Sequence, residues 1–512
     1  MSRSLSLEKQ PSISGALGRS DGWRRVAVDW LIVGGSTAVC HAISAVTGLL
    51  LRWLLDPAQM GIWQGLKLLL SYGNYAGLGA SKGAAREWTV ARGSGRIAQA
   101  ERSLNVAHAV NTLTSTLYAL ILVATGLWIW WRSATGYAPL WGLGLVAVGA
   151  MAVVQRRVSY RVTILRAQRQ FTATSRLALL EATLTLAVCA SAAWMFGLAG
   201  LLAGTCAVLC LSLVWLHYNC PVGLRDQWEP SEALRLVRIG APMLLAGVMS
   251  SLMRSLDRWM VLAYLGDGEY QLGCYSAALL VTAQLYGLVV ILSTVMGPRY
   301  GESFGRLRSR REVARLAARA SQLHAACLAL LGATAITMAP ALLTWLLPAY
   351  QEGIDAVVWL VPGVIALGMA LPASQYLVAV GLQNRVLAAL GLAAVAAAIG
   401  NHVALRSGWG LQGVAGATSI AYGIYYFVLL GLSLWQELDE KAKFRYAAAT
   451  VLLLVPAVGL ALSTTVLFPE RRWDGTIAAL NTAAVFSVWC LTAVLGWYFG
   501  GWSEVWRKEV RR

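Results

Sequence analysis

Apolar residues run through this chain in blocks of about 20, each long enough to cross a hydrocarbon core of about 30 Å as a helix. The blocks recur from Val26 to Gly500, separated by short polar gaps. They do not alternate as barrel strands would, and within lipid only helices or closed barrels satisfy their own backbone groups. The pattern predicts fourteen helical spans. These run approximately over 27–51, 60–81, 105–131, 137–155, 177–196, 198–218, 238–264, 271–297, 321–346, 354–380, 387–405, 412–435, 446–467 and 476–500. The tight join at Gly197–Gly200 makes spans five and six a hairpin.

Composition supports this reading: 58% of residues are hydrophobic and 13% charged, where soluble domains carry about a quarter charged. Residues 1–22 are polar and read as a disordered tail, with no cleavable leader. The net charge of +18 could suggest nucleic acid, but its distribution argues against that partner. With the N-terminus inside, inner gaps hold 34 Lys and Arg and outer gaps hold 5 (Arg52, Arg132, Arg406, Arg471 and Arg472). Such a bias sets orientation and predicts cytoplasmic N- and C-termini. The gap from Arg299 to Arg319 reads as a surface helix, with Arg308, Arg311 and Arg315 on one face toward anionic membrane lipids.

A weak repeat is visible. Gly61-Ile62-Trp63 opens span two and Gly273-Cys274-Tyr275 opens span eight, each after a short turn containing Asp56 or Asp267. Two six-span halves are a common transporter plan. The expected divisions are an N-lobe over 23–219, a C-lobe over 237–436 and an extra helix pair over 446–500.

No P-loop and no metal-ligand spacing appears, and the eight cysteines read as small apolar residues. No cofactor is expected, and neither is an enzyme. Ionisable residues inside spans are the candidates for function. Arg254, Asp257 and Arg258 lie at i, i+3 and i+4, which places all three on one helix face. Asp257 would offset one arginine, and guanidinium forks suit phosphate. An anion-recognition point in a cavity is one reading; an interfacial cluster that snorkels is the other. Lys67, with Tyr72, Asn74 and Tyr75 after it, either approaches the same cavity or snorkels. Glu181 is a charge partner or coupling group there, or else pairs with Arg176. His41, His108, His324 and His402 read as packing residues.

Several short motifs carry a resemblance. Leu55-Asp56-Pro57-Ala58-Gln59-Met60-Gly61-Ile62-Trp63 resembles the outer turn of the Wzx-type oligosaccharide flippases, with Leu55-Asp56 where Leu-Gly is more usual. Tyr75-Ala76-Gly77-Leu78-Gly79 with Ala85-Arg86-Glu87 is similar to that family's end of span two. Gly240-Ala241-Pro242, Asp257-Arg258, Gly273-Cys274-Tyr275 and Trp409-Gly410-Leu411-Gln412-Gly413-Val414-Ala415-Gly416-Ala417 follow in the family's order. The resemblance covers about residues 25–436. It implies an all-α integral membrane fold of about 14 helices, as two pseudo-symmetric six-helix lobes plus a C-terminal pair. That is the plan of the multidrug/oligosaccharidyl-lipid/polysaccharide exporter superfamily. It implies translocation of an undecaprenyl-diphosphate-linked glycan across a bacterial inner membrane by alternating access. A polysaccharide polymerase and a chain-length regulator would be partners. A drug or metabolite exporter of that superfamily remains an alternative. A membrane polysaccharide polymerase or ligase is a weaker one, because no outer gap has room for the large loop it needs.

Overall fold

The structure is a computed structural model and describes residues 19–93, 96–132, 136–168, 170–220, 223–467 and 474–499. Among these the chain is helical, without strands. The first half contains α1 (Arg19–Leu54), α2 (Pro57–Tyr72), α3 (Ala80–Gly93), α4 (Ile97–Arg132), α5 (Ala138–Ala167), α6 (Phe171–Leu184) and α7 (Ala190–Asn219). The second contains α8 (Pro230–Met253), α9 (Leu256–Tyr264), α10 (Gly268–Leu307), α11 (Arg310–Leu346), α12 (Gln351–Ile354), α13 (Ala356–Ala379), α14 (Gln383–Arg406), α15 (Gly410–Leu432) and α16 (Leu434–Glu437). A final pair, α17 (Glu440–Leu467) and α18 (Gly475–Phe499), packs against α11. The expected tail over 1–22 lies outside the described residues as far as Gly18.

Twelve described helices are long and apolar enough to cross a membrane. One of them, Phe171–Asn219, reverses at Gly197 (φ 57°, ψ −137°), so it supplies the expected hairpin of two crossings. Gly200 then lies against the Ala192 carbonyl, and Gly204 against Cys189. The second span is the other addition, because it is broken: α2 has only 16 residues. The fourteen expected crossings are thereby accounted for. Large exposed aromatics gather where the outer ends were expected: Trp53, Trp131, Trp194, Trp345 and Trp409. Such rings sit where bilayer meets water.

The repeat is expressed as packing. α4 against α5 in the first lobe corresponds to α11 against α13 in the second, and α1 against α6 corresponds to α8 against α14. The two lobes meet through the glycines that betrayed the repeat. A Cβ on Gly61 would lie 1.7 Å from the Glu269 carbonyl oxygen, and one on Gly273 would lie 1.7 Å from that of Pro57. The contact is reciprocal: each glycine meets the residue four positions before the other. Only glycine lets two backbones approach so closely. Asp56 caps α2 by accepting from the Gln59 N–H at 2.9 Å, and Pro57 occupies the first helical turn.

At the opposite end α3 crosses α8. A Cβ on Gly240 would lie 2.0 Å from the Gly79 carbonyl oxygen. Polar links join the lobes there: Arg235 to Glu87 at 3.2 Å, Arg102 to Glu229, and Ser103 donating to Glu232 at 2.9 Å. His108 belongs to this set, pairing with Asp226 at 2.8 Å. It is therefore more than the packing residue the sequence suggested.

The surface helix expected over 299–319 does not exist as a separate element. α10 continues to Leu307, Arg308 takes a left-handed turn (φ 48°), and α11 begins at Arg310, capped by Ser309. Arg308 thus leaves the predicted face, while Arg311 and Arg315 reach Asp439 at 3.1 and 3.5 Å. Two amphipathic helix ends consume the residues that a surface helix would have used.

Candidate functional site

Two of the spans are interrupted, and the interruptions meet. The first follows Tyr72: a short 3-10 turn over Gly73–Tyr75 leads to Leu78 (φ 49°) and Gly79 (φ 86°) before α3 begins. The left-handed pair turns the chain out of the helix, and Gly79 is the residue type that tolerates this while touching Gly240. The second lies at Arg254 and Ser255, between α8 and α9. Ser255 Oγ donates back to the Ser251 carbonyl at 2.8 Å, and such back-bonding competes with the helix ladder and bends it. Tyr72 ties the two breaks together. Its hydroxyl bonds to Ser255 Oγ and accepts from Trp259 Nε1 at 3.1 Å, and its ring stacks on that of Trp259.

The span-seven cluster therefore does not ride on one continuous helix. Arg254 ends α8, whereas Asp257 and Arg258 begin α9. All three still line one cavity of about 760 Å³. Its walls come from α2, the first break, α3, α5, α6, α8, α9 and α10, with contributions from α7, α13 and α15. Lining side chains include Lys82, Arg156, Arg166, Arg254 and Arg258 against two carboxylates, Glu181 and Asp257. Serines, Asn74, Gln155 and Thr163 complete the polar wall.

The cations differ in how far they are engaged. Arg156 is buried and saturated: Nε donates to Asn111 Oδ1 at 3.0 Å, Nη1 to the Asn74 carbonyl at 2.7 Å and Nη2 to Ser81 Oγ at 2.8 Å. It therefore pins the first break to α3, α4 and α5. Gly77 packs onto this guanidinium so closely that a Cβ would lie 2.0 Å from Nη2. Lys82 donates to the Met243 carbonyl at 2.8 Å and so bridges the lobes. Arg254 donates to the Ser250 carbonyl at 3.2 Å and lies over the Tyr286 ring, 5.5 Å from its centroid, a cation–π distance. Neither Arg166 nor Arg258 makes a side-chain hydrogen bond among the described residues, and Arg258 Nε is buried without a partner, as is Gln155 Oε1.

Asp257 does not neutralise the arginines by contact. Its Oδ2 accepts from the Tyr275 hydroxyl at 2.9 Å and its Oδ1 from the Arg258 backbone N–H at 2.8 Å. No ion pair joins it to either guanidinium among the described residues. Glu181 lines the cavity and forms no ion pair with Arg176. One turn further on, Thr185–Cys189 is a π-helical segment. Lys67 is absent from the cavity wall. It is exposed on α2.

Sequence reasoning missed three of these cations, and also the burial of Arg52. Lys82, Arg156 and Arg166 were read as cytoplasmic gap charges, and Arg52 as an outer one. Arg52 is in fact buried, donating to Ser276 Oγ at 3.0 Å, to the Ser276 carbonyl at 2.8 Å and to the Gly48 carbonyl at 2.7 Å. It stitches α1 to α10. A signal for the α5 residues was present: Gln155, Arg156, Ser159, Thr163 and Arg166 recur at helical spacing beyond the apolar block.

Comparison with known proteins places this arrangement. Residues 96–347, just under half of the chain, match a family model described as polysaccharide biosynthesis protein. No curated protein sequence matches the chain. Among solved structures, the lipid II flippase MurJ in an inward closed conformation superposes with a TM-score of 0.66 at 13% identity, covering 91% of this chain and 99% of that one. An inward-facing multidrug resistance MATE family transporter gives 0.59 at 15% identity, over 79% and 94% of the two chains. A MOP superfamily transporter from Pyrococcus furiosus gives 0.57 at 15% identity, over 82% and 96%. The chain is a multi-pass membrane protein whose fold is similar to those of MOP superfamily transporters.

Proposed function

We propose that this protein flips an undecaprenyl-diphosphate-linked oligosaccharide across a bacterial inner membrane, by alternating access of its central cavity. It acts as a transporter, not as an enzyme. The observation that carries the reading is the charge of that cavity: five cations face two carboxylates. One carboxylate, Asp257, already accepts from Tyr275 and the backbone. A cationic drug would be repelled by such a wall, whereas a diphosphate gains charge-assisted, bidentate hydrogen bonds from guanidinium groups. Arg258 is the group best placed to supply them, because its Nε has no other partner. Serine, Asn74, Gln155 and Tyr75 offer donors and acceptors to sugar hydroxyls. The match over 96–347 to a polysaccharide biosynthesis model supports a glycan cargo. Cytoplasmic termini, and action alongside a polymerase and a chain-length regulator, belong to the same proposal.

The test is genetic and chemical together. Deleting the gene should make lipid-linked repeat units accumulate in the inner leaflet. Wild-type protein should clear them, and Arg258→Ala, inserted at normal levels, should not. If deletion leaves lipid-linked pools and polysaccharide export unchanged, the proposal is wrong. Export of a cationic dye by purified protein would instead favour a drug exporter.

A further inference from the structure

A second cavity, of about 460 Å³, lies inside the C-lobe between α8, α10, α13, α14 and α15. Among the described residues no charged one lines it, and Ala246, Leu371, Val378 and Leu390 dominate its wall beside the uncharged polar Ser374 and Gln375. The extra pair α17–α18 contributes nothing to this wall. The two cavities abut. Tyr286 and Leu367 line both, and on α8 the neighbours Ser250 and Ser251 face the apolar and the basic side respectively. Arg254 stands at this partition: it donates to the Ser250 carbonyl, and its guanidinium lies over Tyr286.

The order of surfaces is therefore apolar cavity, cation, polar cavity. An amphiphile with a hydrocarbon chain, an anionic phosphate and a polar headgroup has the same order. We propose that the C-lobe cavity takes the first part of the hydrocarbon chain of the lipid whose diphosphate sits against Arg254 and Arg258. This rests on the reading of the basic cavity as a lipid-diphosphate site. Burying a chain there removes apolar surface from water, a gain that inorganic pyrophosphate cannot make.

The experiment uses the purified full-length protein and compares pyrophosphate with geranylgeranyl diphosphate by calorimetry. The wild type should bind the prenylated probe at least about tenfold more tightly, a difference of about 1.4 kcal/mol. Ala246→Trp or Ala379→Phe, which fill the apolar cavity, should shrink that ratio to about threefold or less while leaving pyrophosphate affinity unchanged. Arg254→Ala should weaken both probes. Thermal melting identifies a variant that fails to fold, in which case the other decides. If both fillers melt as the wild type does and keep the full chain advantage, the chain lies elsewhere; the inference fails while the diphosphate site stands. A phospholipid found bound there by native mass spectrometry, and not displaced by the prenylated probe, would equally overturn it. Failure of the wild type to bind either probe would remove the diphosphate reading and this inference together.

Discussion

The basic and apolar cavities are built on the two sides of one helix, α8, yet among the described residues five cations reach one and none lines the other. The difference traces to helix breaks. The basic cavity forms where two spans lose their regular backbone, at Gly73–Gly79 and at Arg254–Ser255. Non-helical backbone at membrane depth persists only where protein or a cavity satisfies it. Here Arg156 satisfies the Asn74 carbonyl, and Tyr72 meets Ser255. The polar apparatus that supports the breaks also makes the wall hospitable to an anion. The apolar cavity is lined by helical residues of α8, α10, α13, α14 and α15 and, among the described residues, by no charged side chain. Where lipid-like surroundings must be interrupted, the interruption itself imports charge.

The largest expected effect tests the support. Arg156→Ala removes the donor to the Asn74 carbonyl and leaves Asn111 Oδ1 with only Ser81 Oγ, in a buried site. It should cost about 3 kcal/mol of stability, read as lowered thermal melting in detergent, with transport lost as a consequence. A variant that melts normally would show that the break does not depend on this cation. A smaller, purely functional effect should follow at Arg258. Arg258→Ala should weaken pyrophosphate binding about tenfold without altering melting. Arg258→Lys should recover only part of the loss, because an ammonium lacks the planar fork. Raising salt should weaken this binding, while the extra affinity contributed by a prenyl chain should not fall with it. Equal salt sensitivity of both contributions would erase the distinction between the cavities.

The smallest effect lies outside both. Hydrogen bonds from Arg311 and Arg315 hold the exposed Asp439 carboxyl below the usual carboxylate range. A group depressed on folding stabilises the fold above its unfolded value, near pH 4, and that contribution is lost as pH falls through the folded value. Asp439→Asn should therefore lower melting slightly at pH 7, by an amount that shrinks as pH falls below about 4.

The span count, the hairpin at Gly197 and the repeat at Gly61 and Gly273 were legible because each leaves a local mark: an apolar block, a glycine turn or a close approach. Arg254 and Arg258 were legible as charges where charge is costly. Lys82, Arg156 and Arg166 were not, for a physical reason. Counting charges in the gaps assumes that a helix ends where its apolar block ends, but α5 runs to Ala167, twelve residues beyond the expected boundary at 155. Its last turns line a cavity instead of meeting lipid, so they are polar without being a loop. Asn111, the acceptor that fixes Arg156, belongs to α4 and is 45 positions away in sequence; only the fold brings them together.

The most direct measurement is transfer of a polyprenyl-diphosphate-linked oligosaccharide between leaflets of proteoliposomes, comparing wild type with Arg254→Ala/Arg258→Ala at equal reconstitution and equal melting temperature. The account predicts transfer by the wild type and a loss of at least about tenfold in the double variant. Transfer by the double variant at the wild-type rate would contradict it.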